Sequence, residues 1–320
     1  MDLLPYPPMS SPTRLTLNEL RRLPAMCRGA YPPRHPRALA HHWLWAKTVL
    51  SLDAHLDMQR QLRALGLGRL LREQPQTLRK LHDTYPFQGL GPEARRRWLL
   101  GHLQAARTLF GPQLSRRLAR GEPLLACRIN LPDGQGQMRA LLGAARQQHL
   151  REGDLTLALY DPFGTKLYAL TFSLQPCEHG VEVVIGALQG QMPLPLTRHI
   201  TKLTEGLRPP ALLLYLLQCL AEAVGARRLR ACGRERHIHH GSERSELVRF
   251  DYDAFWRDYG GQPDGQGFYE LPVAAPRREV AEIPSHKRAQ YRRRYQFMDE
   301  MRQELHGCLA EHGAPLDRAA

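Results

Sequence analysis

Apolar residues recur with a helical period along much of the first third of the chain. The stretch from His41 to Gly66 takes up this period, and the stretches 71–86 and 91–111 continue it. Pro92 stands near the start of the last stretch and Gly111 at its end, as helix boundaries favour. The proline clusters PYPP, SSPT and YPPRHPR occupy the first 40 residues, which we expect to be irregular. The pattern therefore predicts a mainly helical N-terminal region.

Beyond residue 150 the pattern changes to short runs rich in β-branched and aromatic residues. The runs DLTLALYD, KLYALTFSL and VEVVIGALQG are separated by turn sequences, the first of them Asp161-Pro162-Phe163-Gly164. They predict three antiparallel strands in a meander. A strongly apolar helix, RPPALLLYLLQCLAEAVG, follows with prolines in its first turn, and RRLRACG is then typical of a strand.

This order of elements indicates an α+β fold. We expect an N-terminal helical region followed by a mixed, mainly antiparallel sheet with packed helices. The predicted units are a basic, mainly helical region over 1–122, an α+β core over 123–270, and a C-terminal basic helix packed on the core within 271–320.

Residues 287–305 predict a helix that docks on the core. At about 100° per residue, its apolar side chains fall on one arc of about 160°. Lys287 and Arg294 fall inside that arc, where a desolvated cation needs a partner. We expect internal carboxylates (Asp251, Asp253 and Asp258 are available), a ligand phosphate or carboxylate, or extension of the side chain to solvent.

Charge adds information through its distribution. The chain carries a net charge of +14, and residues 1–122 hold 20 cations against 8 anions, whereas the remainder holds 25 against 23. A basic field of this kind attracts an anionic lipid, an acidic protein or RNA without distinguishing them, and it is also compatible with a solvated surface.

No run approaches 18 apolar residues, and the N-terminus lacks the layout of a signal peptide. We therefore expect no transmembrane segment and a cytoplasmic location, with peripheral contact to the inner membrane as the alternative. The six cysteines show no short repeated spacing, so neither a disulfide framework nor a metal site is indicated.

The junction before the apolar helix is a candidate anion site. Arg198, Lys202 and Arg208 precede or begin the helix, and Gly206 allows close approach of a ligand. A helix N-terminus offers free amide donors and a partial positive charge, so the junction could hold a phosphate. The alternative is an ordinary capped helix with nearby surface cations.

Two further groups are candidates for chemistry. His237 and His239 follow the last predicted strand, where a polar surface loop is the default interpretation and a general base is the alternative. Tyr252 and Trp256, with Tyr291 from the last helix, could form an aromatic wall for a ligand. Core packing is the alternative for these rings.

Several of these motifs together resemble the VirK/YbjX family of Gram-negative bacteria. The segments that carry the resemblance are LTLALYDPFGTKLYALTFSL, VVIGALQG, LTEGLRPPALLLYLLQCLA, FDYDAFW and KRAQYRRRY, within a match from about residue 20 to residue 305. The resemblance implies a bacterial envelope or virulence-associated factor, linked to antimicrobial-peptide resistance and to surface display of a virulence protein. It supplies no catalytic residues.

The order of meander, helix and strand also resembles the central part of the GCN5-related acyltransferase fold. The [RQ]-x-x-G-x-[GA] loop of that fold is absent, and the connection from strand to helix is longer here. Two hypotheses follow from the sequence. One is an accessory factor whose basic helices bind anionic lipid, acidic protein or RNA. The other is an acyltransferase-like enzyme that uses acyl-CoA or acyl carrier protein to modify an envelope precursor, with Arg198, Lys202 and Arg208 holding phosphates.

Overall fold

The computed structural model describes residues 17–31, 39–190, 192–242, 248 and 250–316. Its helices are α1 Leu17–Gly29, α2 Ala40–Leu50, α3 Leu52–Ala64, α4 Leu70–Glu73, α5 Thr77–His82, α6 Pro92–Ala119, α7 Leu194–Leu203, α8 Pro209–Ala223, α9 Tyr252–Asp258 and α10 Arg288–Glu311. Its strands are β1 Leu124–Asn130, β2 Gln137–Ala144, β3 Leu155–Tyr160, β4 Lys166–Cys177, β5 Gly180–Gly190, β6 Arg228–Cys232, β7 Gln262–Pro263 and β8 Phe268–Leu271.

Within the described residues, eight strands form one sheet in the order β1-β2-β3-β4-β5-β6-β8-β7. Strands β1 to β5 are an antiparallel meander, and β6 pairs in parallel with β5 after the crossover through α7 and α8. Strands β8 and β7 then add antiparallel neighbours. The predicted fold class, α+β with a mainly antiparallel mixed sheet, is confirmed.

Helices cover both faces of the sheet. On one face, α8 packs on β3 and β4 while α10 packs on β1 and α8. On the other face, α6 crosses β4, where Gln175 donates from its side chain to the carbonyl of Trp98. Alternate residues of a strand point to opposite faces, so Leu174 of β4 belongs to the apolar cluster with α8. The polar side chains of β4 that alternate with Leu174, such as Gln175, consequently face the N-terminal helices.

The N-terminal prediction needs correction. Residues 17–29, inside the segment expected to be irregular, form α1, because Leu23, Met26 and Cys27 supply a buried helical face despite Pro24. The three proline clusters themselves lie wholly or largely outside the described residues. The stretch 41–66 is two helices that meet at Ser51, and Pro75 separates α4 from α5.

Other differences arise where the local pattern is weak. Gly111, the expected end of a helix, is a kink with φ 74°, and helical structure continues to Ala119. Strands β1 and β2, helix α7 and the β7–β8 pair were not predicted. The predicted meander strands correspond to β3, β4 and β5, and α8, β6 and α10 also lie where the sequence predicted them.

Candidate functional site

The two parallel strands at the centre of the sheet separate partway along their length. Strand β5 pairs with β6 from Glu182↔Arg228 to Ile185↔Ala231, but β5 continues to Gly190 while β6 ends at Cys232. The register of β4 with β5 shifts at the same level, where Ile185 and Ala187 have partners and Gly186 is the extra residue of a bulge. We call the region beyond Ile185 and Ala231, where β5 and β6 no longer pair, the strand gap.

Gly186 permits another segment of the chain to cross the sheet at the strand gap. A Cβ atom on Gly186 would lie 1.8 Å from the carbonyl oxygen of Glu152, so no side chain fits there. Gly153 is similarly close to the backbone of Phe172. The crossing places Glu152, whose residue is 0% exposed, beside the free part of β5.

Two aromatic side chains of α9 form hydrogen bonds with the backbone of the separated strands β5 and β6. The hydroxyl of Tyr252 accepts from the N–H of Leu188 at 3.2 Å and donates to the carbonyl of Leu188 at 3.1 Å. It therefore bonds to both backbone polar groups of this residue of β5. Trp256 donates from Nε1 to the carbonyl of Cys232 at the end of β6, at 2.9 Å. Both rings are buried. Burial, followed by the nearby carboxylate of Glu152, raises the pKa of Tyr252 above its usual value.

His237 stacks on Tyr252 with ring centroids 5.1 Å apart. It is 3% exposed, and burial, helped by His239 and His240, lowers its pKa to about 4. Nδ1 accepts from the N–H of His239 at 3.3 Å, so the neutral ring carries its proton on Nε2. That Nε2–H group is buried, and none of the residues that the structure describes forms a hydrogen bond with it. His237 therefore offers an unsatisfied donor beside the strand gap, a different capacity from the predicted general base.

Glu152 is connected to solvent by a chain of polar contacts. One carboxylate oxygen accepts from the side-chain amide of Gln189, and the other lies 3.3 Å from Nδ1 of His149. Nε2 of His149 lies 3.3 Å from Nζ of Lys166, an exposed residue at the start of β4. Burial raises the pKa of Glu152, and the contact with His149 opposes that rise. A carboxylate with a raised pKa is a better proton acceptor than an exposed one.

A second buried polar group joins α5 to the sheet. Nζ of Lys80 contacts Asp154 at 2.8 Å and donates to the carbonyl of Gly153 at 2.9 Å, while Tyr85 and Ser173 donate to the other oxygen of Asp154 at 2.5 and 2.7 Å. Burial alone would raise the pKa of Asp154, but Lys80, His102 and the hydrogen bonds together lower it. We call this group, Lys80, Tyr85, Asp154 and Ser173, the Lys80–Asp154 cluster.

Only some of the predicted anion-binding residues lie close to one another. Arg294 donates from Nε to the carbonyl of Glu205 at 2.7 Å, and a Cβ on Gly206 would lie 2.3 Å from its Nη2. The partner of Arg294 is thus a backbone carbonyl of the α7–α8 junction and none of the three expected aspartates. Its guanidinium also lies over the ring of Tyr291, 4.8 Å from the centroid, which associates Tyr291 with this junction.

The remaining predicted cations are exposed. Arg198, Lys202, Arg208 and Lys287 form no ion pair with any residue that the structure describes. Arg208 precedes the first turn of α8, where Pro209 and Pro210 occupy the first two positions. Proline has no N–H, so two of the amide donors that a helix N-terminus normally offers are missing. Anion binding at this junction would rest mainly on side-chain cations.

Several groups at the strand gap were not found by sequence reasoning. Glu152 and His149 lie just before β3 in a segment with no periodic pattern, and only the crossing over Gly186 brings them to β5. A signal did exist in the strand run VVIGALQG, because an isolated glycine inside a strand indicates a bulge or a close backbone approach.

The described helices include none with the length and apolar character needed to cross a bilayer. Among the residues described, no three His, Cys, Asp or Glu side chains are grouped so as to hold a metal ion.

Comparison with known proteins identifies the family. The family model described as "Protein of unknown function (DUF535)" matches residues 37–307. The chain is 32% identical over 161 residues to the uncharacterized protein YbjX of Escherichia coli K12, covering 48% of this chain and 49% of that protein. An uncharacterized protein of Haemophilus influenzae is 29% identical over 154 residues, which cover 47% and 50%.

The chain therefore spans about half the length of these curated relatives in the matched segments. No solved structure matches it significantly. The family match covers most of the chain and includes the strand gap and most of α10. The relative from Escherichia coli carries the family name that the motifs indicated. The chain belongs to the DUF535 family, the VirK/YbjX family.

Proposed function

We propose that the chain is an acyltransferase-like enzyme that takes an acyl group from a phosphopantetheine thioester and binds that donor in the strand gap. The observation that carries the proposal is the edge of β5 that faces away from β4 beyond Gly186. Among the described residues, only the hydroxyl of Tyr252 contacts the N–H and carbonyl of Leu188 there. An extended amide-containing arm can pair with such an edge as an added strand would. The order of strands and helices supports the same acyltransferase-like reading.

The side chains around the strand gap suit the chemistry of acyl transfer. An amine or hydroxyl of the acceptor attacks the thioester carbonyl, a C–N or C–O bond forms, and the C–S bond breaks. Glu152, with its raised pKa, accepts the proton of the nucleophile. The N–H of Leu188 stabilises the carbonyl oxygen after Tyr252 moves from it. Tyr252 supplies a proton to the leaving thiolate, and the proton taken up by Glu152 returns to Tyr252, so both groups are restored.

The orphan donor of His237 adds support for a ligand at this place. A buried N–H group without a partner costs roughly 1–3 kcal/mol, and its Nε2–H is in that condition. A carbonyl of the donor arm or of the acceptor would satisfy it. In this proposal His237 binds substrate, while Glu152 acts as the base.

The donor can be acyl-CoA or an acylated carrier protein, which share the phosphopantetheine arm. Pro209 and Pro210 leave the start of α8 poor in amide donors, while Arg198, Lys202 and Arg208 remain exposed and unpaired among described residues. This arrangement favours contact with an acidic carrier surface over a tight pyrophosphate cradle. The acceptor we propose is an envelope precursor, the setting implied by the resemblance to VirK/YbjX, with its links to antimicrobial-peptide resistance and virulence.

Thermal unfolding with a panel of acyl-CoA species and acylated carrier proteins tests donor binding, because a ligand of the folded state must raise its stability. Thiol release in the presence of amine and hydroxyl acceptors measures transfer. Glu152→Gln and Tyr252→Phe should keep donor stabilisation and lose at least about a hundredfold in thiol release. Tyr160→Phe, in β3, which β4 separates from β5, is the matched control and should behave as the wild type.

Stabilisation by the carrier protein alone would assign the exposed cations to that partner, and stabilisation by free acyl-CoA would assign them to its phosphates. Absence of stabilisation by every donor would contradict the proposal. Equal thiol release by wild type and Glu152→Gln would remove Glu152 from the mechanism.

A further inference from the structure

Exposed apolar side chains concentrate on one short helix. Among the described residues, seven large hydrophobic side chains are exposed, and four of them lie between residues 39 and 50. They are Leu39, Trp43, Trp45 and Leu50, and Leu50 and Trp43 are 88% and 68% exposed. Two tryptophans exposed on one helix of 11 residues are unusual for a surface with only water as its neighbour.

The other side of α2 explains why these side chains point outward. Ala40, Leu44 and Thr48 are buried, and they fix that face against the neighbouring helices. Trp43 and Leu50 are seven residues apart and therefore lie on the same side of the helix, with Leu39 one turn earlier. The outward side of α2 is thus an apolar stripe held in place by a packed opposite side.

Cations flank this stripe. Lys47 of α2 is exposed, and α1, which packs beside α2, exposes Arg21, Arg22 and Arg28. From Arg21 onward, the described side chains of α1 and those of α2 include no carboxylate. The charged side chains described on these two helices are therefore all cationic.

We infer that α2 is a docking helix for an anionic lipid surface. Tryptophan rings favour the boundary between headgroups and acyl chains, and flanking Lys and Arg attract anionic headgroups. A helix of 11 residues is too short to span a bilayer, so α2 would lie in the plane of the interface. Leu39, Trp43 and Leu50 would enter the lipid while Lys47 and the arginines of α1 contact phosphates.

This inference rests on α2 alone and is independent of the proposed acyl transfer. It also accounts for some of the excess cations among residues 1–122, namely those beside the apolar stripe. A second copy of the chain is the alternative occupant of the stripe, and the experiment distinguishes the two.

Tryptophan fluorescence provides a direct test, because the chain has four tryptophans and the other two, Trp98 and Trp256, are only 4% and 0% exposed. A change on adding vesicles therefore reports on Trp43 and Trp45. We expect a blue shift and cosedimentation with vesicles that contain phosphatidylglycerol, and weak or no binding to pure phosphatidylcholine. Binding to anionic vesicles should weaken as salt is raised.

Substitutions separate the apolar and the electrostatic contributions. Lys47→Glu should weaken binding to anionic vesicles about tenfold or more, since it removes one cation and adds one anion at the surface. The double variant Trp43→Ser, Leu50→Ser should lose binding to a similar extent. Phe163→Ser, at a side chain that is 93% exposed on the β3–β4 turn, is the matched control and should bind normally.

Three outcomes would overturn the inference. One is the absence of a blue shift with anionic vesicles, and another is binding that is equal in wild type and the double variant. The third is a concentration-dependent dimer, abolished by Trp43→Ser and Leu50→Ser, in a protein that does not bind vesicles. That result would assign the stripe to a second copy.

Discussion

The Lys80–Asp154 cluster and the strand gap both bury charged and polar side chains against the sheet, yet they differ in how completely these groups are paired. In the cluster, Asp154 receives three side-chain contacts and Lys80 has a second partner in a backbone carbonyl. In the strand gap, as far as the structure describes the chain, His237 retains an orphan donor and Tyr252 bonds to a strand edge with no neighbouring strand. Complete pairing is typical of a structural role, and incomplete pairing indicates a place where a ligand binds.

The largest expected effect belongs to the fully paired cluster. Lys80→Met leaves the carboxylate of Asp154 buried without its ammonium partner and should lower the free energy of unfolding by about 3–5 kcal/mol. Chemical denaturation measures the loss. In the double variant Lys80→Met, Asp154→Leu, the loss in free energy of unfolding should be smaller than the sum of the losses in the two single variants, since the two residues are directly coupled.

The control for this change is an exposed ion pair. Arg277 pairs with Asp299 on the surface, where both side chains are more than a third exposed. Arg277→Met should cost at most about 1 kcal/mol. A similar loss in the two variants would contradict the structural importance assigned to the Lys80–Asp154 cluster.

A smaller effect is expected at the bulge that creates the strand gap. Gly186→Ala forces the backbone of Glu152 away from β5 and should lower the free energy of unfolding by about 1–3 kcal/mol. It should also reduce any donor stabilisation, because Glu152 is displaced. Gly307→Ala in α10 is the control, since its Cβ would meet no atom within 4 Å and a helical alanine stabilises by up to about 1 kcal/mol.

Acid should act on both regions through buried histidines. Burial lowers the pKa of His102, beside the cluster, and of His237, at the strand gap, from 6.5 to about 4. A lowered pKa contributes stability that is present above pH 6.5 and is lost as pH falls towards 4. At pH 5 each histidine should lower the free energy of unfolding by about 2 kcal/mol relative to pH 7.

Urea unfolding of wild type, His102→Gln and His237→Gln at pH 7 and pH 5 measures this dependence. Each variant should lose less stability between the two pH values than the wild type, whatever its stability at pH 7. An unchanged difference in His237→Gln would contradict the neutral, buried state of that ring.

The sequence predicted the sheet most reliably where one local pattern dominates. Strands β3, β4 and β5 have dense β-branched and apolar runs between turns, and α8 is apolar with clear end signals, so their types and positions follow from short-range chemistry. Strands β1 and β2 lack such runs and depend on neighbouring strands for their stability.

The candidate site was predictable only in part for a related reason. The sequence named Tyr252 and His237 as candidates. Their position beside Leu188, however, results from the packing of α9 into the strand gap. Glu152 has no local signal at all, because its position depends on a backbone crossing at Gly186. For Arg294 the sequence left an internal carboxylate, a ligand or solvent as alternatives, and in the structure it donates to the carbonyl of Glu205.

The most direct test of the central claim uses His237→Phe. A phenyl ring of similar shape preserves the stack on Tyr252 and removes the orphan donor, together with the Nδ1 acceptor of the N–H of His239. If the strand gap is a binding site, the variant should remain folded and lose stabilisation by the acyl donor. Unchanged donor stabilisation in the folded variant would contradict the account.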